Sequence, residues 1–209
     1  SQFRCNGAAG YLPWLDNALQ IRETANTHLS PAEFDFRVMD SPAELRDHIY
    51  ERNKNGNKAR MVAGYCWDWK SKKQKGAMDI EFPESGFSAQ WNLTVDGSLW
   101  ILAEKSVEQV GCIHTCQGLE VDHIGVIVGP DLVVRNGRVV TDGRGRSWQD
   151  QTIRGFKQEF TKDPAAAQAK VAPIIRNTYR TLMTRGLRSC SVWFTDGEAG
   201  EHFKRLLGT

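Results

Sequence analysis

The sequence predicts one α/β domain with a mainly parallel sheet, and three observations carry that reading. Residues 35–66 run strand, helix, strand, the rhythm of a parallel sheet whose crossovers are helical. Apolar strand patterns return at 110–114, 122–128 and 189–195, with two helical stretches before the last of them. The 209 residues, 40% hydrophobic and 25% charged, have the size and composition of an ordinary globular domain. A chain of this length buries roughly 70% of the surface its unfolded form exposes.

The elements follow in order. GYLPWLDNALQI (10–21) has the apolar spacing of a short helix, and Asp35–Met39 alternates like a strand. Ser41-Pro-Ala-Glu44 is a capping box with proline at the first helical position. The helix it opens carries Leu45, Ile49 and Tyr50 on one face and is expected to end near Asn55-Gly56. Arg60–Cys66 reads as a buried strand. Residues 71–108 are broken by Gly, Pro and Ser, with short alternating pieces around Ile80, Gln90–Leu93 and Leu99–Leu102, and are expected to form an insertion of short strands or loops. Strands are expected at 110–114 and 122–128. A hairpin follows at 132–140, where Asn136-Gly137 supplies the two positive φ angles of a type I′ turn. Helices at about 147–160 and 164–183, a strand at 189–195 and a helix at 197–207 complete the chain. With no internal repeat and no low-complexity linker, the expectation is a single domain over 1–209 with its insertion at about 71–108.

Several classes of function are excluded or weakened. No apolar run approaches the ~20 residues of a membrane-spanning helix. The opening SQFRCNGAAG has neither the basic nor the apolar region of a signal peptide, and without an initiator Met it reads as a piece of something longer. Five scattered cysteines (Cys5, Cys66, Cys112, Cys116, Cys190) suit reduced thiols in a cytoplasmic protein better than a disulfide framework. A net charge of +2 carries no nucleic-acid signal of its own, and the run Lys70–Lys75 reads first as a solvated loop. No G-x-x-x-x-G-K-[ST] occurs, so the chain has no phosphate-cradling loop, and H-E-x-x-H and G-x-S-x-G are also absent. DGRGR (142–146) reads as a turn.

The stretch HTCQGLE (114–120), between two apolar runs, admits three chemistries. Cys112, His114 and Cys116 alternate, which on a strand puts all three on one face; structural zinc, however, prefers closer cysteine pairs and a second pair elsewhere. Cys116 has His114 and His123 nearby in sequence, the minimum for an activated thiol, though a buried inert cysteine is the commoner outcome. The third reading is a ligand-gripping turn at the carboxyl end of a strand, where ligands of open parallel sheets collect. There Gly118 permits close backbone approach, Thr115 and Gln117 offer neutral hydrogen bonds, and Glu120 can accept from a ribose hydroxyl. Residue types alone do not separate that reading from a well-capped turn with no ligand.

Three stretches together resemble the superfamily 1 helicases. Val110–Gly129, GCIHTCQGLEVDHIGVIVG after its valine, is similar to motif V of the UvrD-like members, a strand, then His-[Ser/Thr]-x-[Lys/Gln]-Gly-Leu-Glu, then a second strand. Ser1-Gln-Phe-Arg4 resembles the end of motif IV, and Asn177–Arg185 (NTYRTLMTR) resembles motif VI. More narrowly, GCIHTCQGLEVDHIGVIVGPDL and NTYRTLMTRG look like a bacterial family related to the Schlafen-type helicase-like ATPases, over essentially the whole chain. The resemblance implies a RecA-like three-layer α/β/α fold, the second of two such domains with ATP and Mg²⁺ in the cleft between them. The P-loop would belong to an N-terminal domain of the same chain, and no nucleotide would bind tightly to this part alone. By the same resemblance Arg4 and Arg185 are the catalytic arginines reaching the γ-phosphate, a task suited to a planar, permanently charged fork. Gln117, Gly118 and Glu120 would face ATP, and His114 and Thr115 a nucleic-acid backbone. Gln117 stands where Lys is common, and Arg180 stands where the family has a small or apolar residue, so its role is open.

Tyr65-Cys-Trp-Asp-Trp-Lys70 adds aromatics beside a lysine. Trp67 and Lys70 are candidates for holding single-stranded nucleic acid, against a plain packing role. The short interval between the motif IV-like and motif V-like stretches makes full strand separation doubtful. The leading expectation is the second motor domain of an ATP-dependent, nucleic-acid-acting protein, inactive alone. Its rivals are a non-catalytic binding module that kept the fold, and a Cys116 thiol enzyme.

Overall fold

A computed structural model describes residues 9–208 apart from positions 55, 57, 93–99, 104, 117 and 119. The motif IV-like stretch with Arg4, and Gln117, lie outside the described residues. Nine strands and five α-helices follow one another among those described: α1 (Tyr11–Ala18), β1 (Asp35–Val38), α2 (Pro42–Lys54), β2 (Ala59–Ala63), β3 (Ile80–Phe82), β4 (Phe87–Ala89), β5 (Val110–Gly111), β6 (Val121–Val128), β7 (Leu132–Arg135), β8 (Arg138–Thr141), α3 (Phe156–Lys162), α4 (Pro164–Met183), β9 (Gly186–Phe194) and α5 (Gly197–Leu207).

Five strands make an all-parallel sheet in the order β1-β9-β6-β2-β5. Side chains alternate across it as the strand period requires. Val62, Ile124, Val126, Val128, Cys190, Val192 and Phe194 face one cluster, closed by Tyr11, Trp14 and Leu15 of α1, Val171, Ile175, Tyr179 and Leu182 of α4, and Ala199 and Phe203 of α5. Ala59, Met61, Ala63 and Ile127 face the other, closed by Leu45 and Ile49 of α2 and by the insertion residues Ile80, Phe87 and Trp91. Helices on both faces of a buried parallel sheet make the RecA-like α/β/α arrangement. No helix among the described residues is long and apolar enough to cross a membrane.

Local chemistry explains the elements. The Ser41 hydroxyl accepts from Glu44 N–H at 3.0 Å, while the Glu44 carboxylate reaches back to Asp40 N–H at 2.8 Å, one residue earlier than a standard capping box. Asp163 caps α4 by accepting from Ala166 N–H, with Pro164 next. In the β7–β8 hairpin Asn136 (φ 52°) and Gly137 (φ 72°) form the expected left-handed pair. The insertion holds the β3–β4 hairpin, as expected around Ile80; of the other expected pieces, Trp91 makes a single bridge to Val110 among the described residues and residues 100–102 form a 3-10 turn, while Leu93 and Leu99 lie outside the described residues.

The helix expected at 147–160 is not formed over most of its length. Residues 147–155 are loop with one 3-10 turn, Gln151–Ile153, and helix begins only at Phe156. Asp150 accepts from Thr152 N–H and Oγ1, Ser147 Oγ donates to Asp68, and Gly155 has φ 88°. Short polar side chains that bond locally to the backbone offer it an alternative to the helix. The strand expected at 110–114 also stops at Gly111, and the strand expected at 60–66 stops at Ala63.

Candidate functional site

The centre of the sheet brings two of the candidate residues together. Val121, which opens β6, pairs with Gly186, which opens β9, and Val121 N–H donates to the Arg185 carbonyl at 3.0 Å. Neighbouring parallel strands begin at the same edge, so Glu120 and Arg185 stand side by side at their amino ends. Glu120 is exposed, with no hydrogen-bond or ion-pair partner among the described residues. Arg185 is half-buried; its Nε donates to the Thr181 carbonyl at 3.2 Å, and no carboxylate pairs with it among the described residues. Gly118 is exposed at φ 77°, and a Cβ there would meet nothing within 4 Å, so its backbone is open to close approach. An unpaired guanidinium fork suits phosphate oxygens, and an unpaired carboxylate accepts hydroxyls.

This placement corrects the expectation that the motif turn sits wholly at the carboxyl end of a strand. Gly111 and Val126 both pair with Val62, so Val121 lies five residues nearer the amino edge, about 16 Å away. The described residues Cys112 and Val121 therefore lie toward opposite edges of the sheet. Gly118 and Glu120 belong to the amino edge; His114 and Thr115 belong to the carboxyl edge.

At the carboxyl edge, Thr115 N–H and Cys116 N–H both donate to the Cys112 carbonyl, at 3.0 and 3.1 Å. This turn removes the common strand face on which Cys112, His114 and Cys116 were to line up. Among the described residues no group of three or more His, Cys, Asp or Glu is placed to hold a metal. Burial pushes the Cys116 thiol far above its ordinary range, which leaves it inert as a nucleophile. Thr115 Oγ1 donates to Asn92 Oδ1 at 2.6 Å and is thereby committed. His114 has a half-exposed side chain, with Nε2 3.8 Å from Asp150 Oδ1 and its ring edge-on to Tyr65.

The Trp-rich stretch follows β2 and is mostly packed. Trp69 and Trp91 are buried, half-buried Trp67 meets Phe82 edge-on at 5.7 Å, and Trp91 Nε1 donates to the Trp67 carbonyl. Lys70 is exposed, 3.9 Å from Glu81. These rings fasten the insertion to the sheet. Arg180 has a structural role: its Nε donates to Asp16, which also accepts from Arg22 at 2.8 Å. Burial pushes the Asp16 carboxyl up, but the two guanidiniums outweigh it and hold the carboxyl below its ordinary value.

The sequence reading missed a buried polar network beneath the carboxyl edge. Asp131 accepts from Arg146 Nε at 2.5 Å and from the Tyr179 hydroxyl, which itself accepts from Gly129 N–H at 2.9 Å. Arg146 Nη1 also donates to Asp150 at 2.6 Å. Burial opposes the charge on Arg146, but Asp131 more than restores it; burial beside Asp131 drives the Tyr179 hydroxyl well above its ordinary value. Gly64 makes room, since a Cβ there would lie 2.0 Å from the Tyr179 hydroxyl. The available signal was a tyrosine at helical spacing from Val171, Ile175 and Leu182, a polar tip on an apolar face.

The fold is a RecA-like α/β/α arrangement with Glu120 and Arg185 at adjacent strand ends of its central sheet. The chain belongs to the Schlafen group 3 DNA/RNA helicase domain family, whose family model matches residues 1–196. An uncharacterized protein of Saccharomyces cerevisiae is similar, 22% identical over 199 residues. That match covers 94% of this chain but 42% of the yeast protein, so the chain spans less than half of that relative's length. No solved structure matches the chain.

Proposed function

We propose that this chain is the second motor domain of an ATP-dependent, nucleic-acid-acting protein and contributes half of a nucleotide site. The observation that carries the reading is the adjacency of Glu120 and Arg185, both unpaired with an opposite charge among the described residues, at the amino ends of paired central strands. The residues fit the outer part of a bound ATP. Gly118 offers open backbone, Glu120 accepts from ribose hydroxyls, and Arg185 stabilises charge developing on the γ-phosphate, with Gln117 and Arg4 in the supporting roles their motifs suggest. ATP supplies the phosphoryl group; a P-loop and Mg²⁺ site come from an N-terminal domain, since the sequence holds no P-loop. His114, Thr115, Trp67 and Lys70 lie on the side proposed for nucleic acid. Reduced thiols fit a cytoplasmic setting.

Two measurements test this. The 209-residue chain alone turns over no ATP; hydrolysis by a homogeneous preparation sinks the half-site. In a longer protein that carries this chain together with a P-loop domain, Arg185→Ala lowers kcat by about 10³-fold or more and leaves nucleotide affinity within a few-fold. Unchanged turnover rules out the finger.

A further inference from the structure

A cavity of about 450 Å³ lies between the 3-10 turn that follows β8 and helix α3. Four cationic side chains line it, Arg144, Arg146, Arg154 and Lys157, against one carboxylate, Asp150, already engaged by Arg146. Arg144 is paired with Asp142 and lies 5.2 Å over the Phe160 ring. Arg154 and Lys157 are exposed and have no anionic partner among the described residues. Arg146 has a fully buried side chain, engaged by Asp131 and Asp150, and its Nη2 is buried with no acceptor among the described residues.

Trp148 stands at this cavity 64% exposed, so its ring is open to a stacking partner. Its indole is also held: Nε1 donates to Asp68 at 3.2 Å, and Asp68 accepts from Ser147 Oγ at 2.6 Å as well. Ser147 N–H donates to the Tyr65 carbonyl at 2.9 Å, which ties the cavity rim to the chain leaving β2. Half-exposed His114 approaches Asp150 from the motif turn, so the cavity adjoins the side of the domain proposed for nucleic acid.

We propose that this cavity is a binding site for single-stranded nucleic acid, with a base stacked on Trp148 and the flanking phosphates on Arg154 and Lys157. An immobilised aromatic face beside uncompensated cations is how strands are held without sequence preference. The Trp-rich stretch after β2 then acts through Asp68, which positions the stacking ring. The inference rests on the nucleic-acid-acting reading above but uses none of its nucleotide-facing residues.

Fluorescence anisotropy of labelled oligothymidylate and oligouridylate, roughly 12 nucleotides long, tests it on the 209-residue chain. Trp148→Ala weakens binding about tenfold. Arg154→Gln combined with Lys157→Gln flattens the log–log salt dependence by about 1.4, or ~0.7 for each lost phosphate contact. All three side chains are exposed, so melting temperatures stay at the wild-type value and a folding defect is separately visible. If the wild-type chain binds strands and both variants bind equally well, the cavity is the wrong site and the nucleic-acid reading survives. If the wild-type chain binds no strand, or binds thymidine monophosphate as tightly as the strand, the proposal is overturned outright. Neither result touches Arg185, whose failure is read in hydrolysis.

Discussion

Tyr179 shows how much rests on one hydroxyl. It donates to Asp131 and accepts from Gly129 N–H, both at the point where β6 leaves the sheet. Tyr179→Phe strands a carboxylate oxygen and an amide in the interior and is expected to cost about 1–3 kcal/mol, read as a lowered urea midpoint with an unchanged m-value. The same residue marks a limit of sequence reading: periodicity places it on the core face of α4, while its partner lies 48 residues away. Arg180, its neighbour, departs from the pattern of the motif it resembles, and its ion pair with Asp16 supplies the reason.

Strongly periodic elements were legible in the sequence, and those governed by side-chain competition were not. Helices α2, α4 and α5 carry caps and an apolar stripe, so pattern and structure agree within a few residues. The β7–β8 hairpin was legible because Asn136-Gly137 admits few other conformations. Asn136→Val forces a β-branched residue to φ 52° and is expected to cost about 1–2 kcal/mol, measurable as a drop in melting temperature, whereas Asn136→Gly is nearly neutral. Residues 147–155 defeated the pattern because Asp150 and Ser147 are spent on loop contacts, one of them to Asp68 far away in sequence. Of the candidate site, Glu120 and Arg185 were singled out through motif resemblance, their adjacency needed the strand order, and Trp148 had no motif to announce it.

At the scale of the whole molecule, stability depends on pH through one buried imidazole, His123, and two half-buried ones, His48 and His202. Burial lowers the affinity of His48, His123 and His202 for a proton, with nearby arginines adding to the effect. The unfolded chain, with an ordinary value of 6.5, therefore binds more protons than the folded one across this window. Stability is full above pH 6.5 and falls as the pH drops through it toward the lowered folded values. The urea midpoint is expected to fall between pH 7.5 and 5.5, and less so in His123→Gln; a flat profile contradicts this. Asp142 adds a second decline further down. The Arg144 guanidinium holds its carboxyl at about 2, so its contribution is present above 3.8 and lost toward that value.

The ladder between β6 and β9 has a mechanical consequence. Glu120 and Arg185 are rooted one residue outside the Val121–Gly186 pair, and past an irregularity between Val121 and His123 the ladder runs in register from His123–Ser189 to Val128–Phe194. Their backbones are held together there by the Val121–Gly186 pair and by the Val121 N–H bond to the Arg185 carbonyl. The irregularity bends and twists this tip locally, while the regular ladder lies behind it. Glu120 and Arg185 therefore move as a pair, and whatever displacement they deliver or sense reaches the regular ladder through that one irregular step.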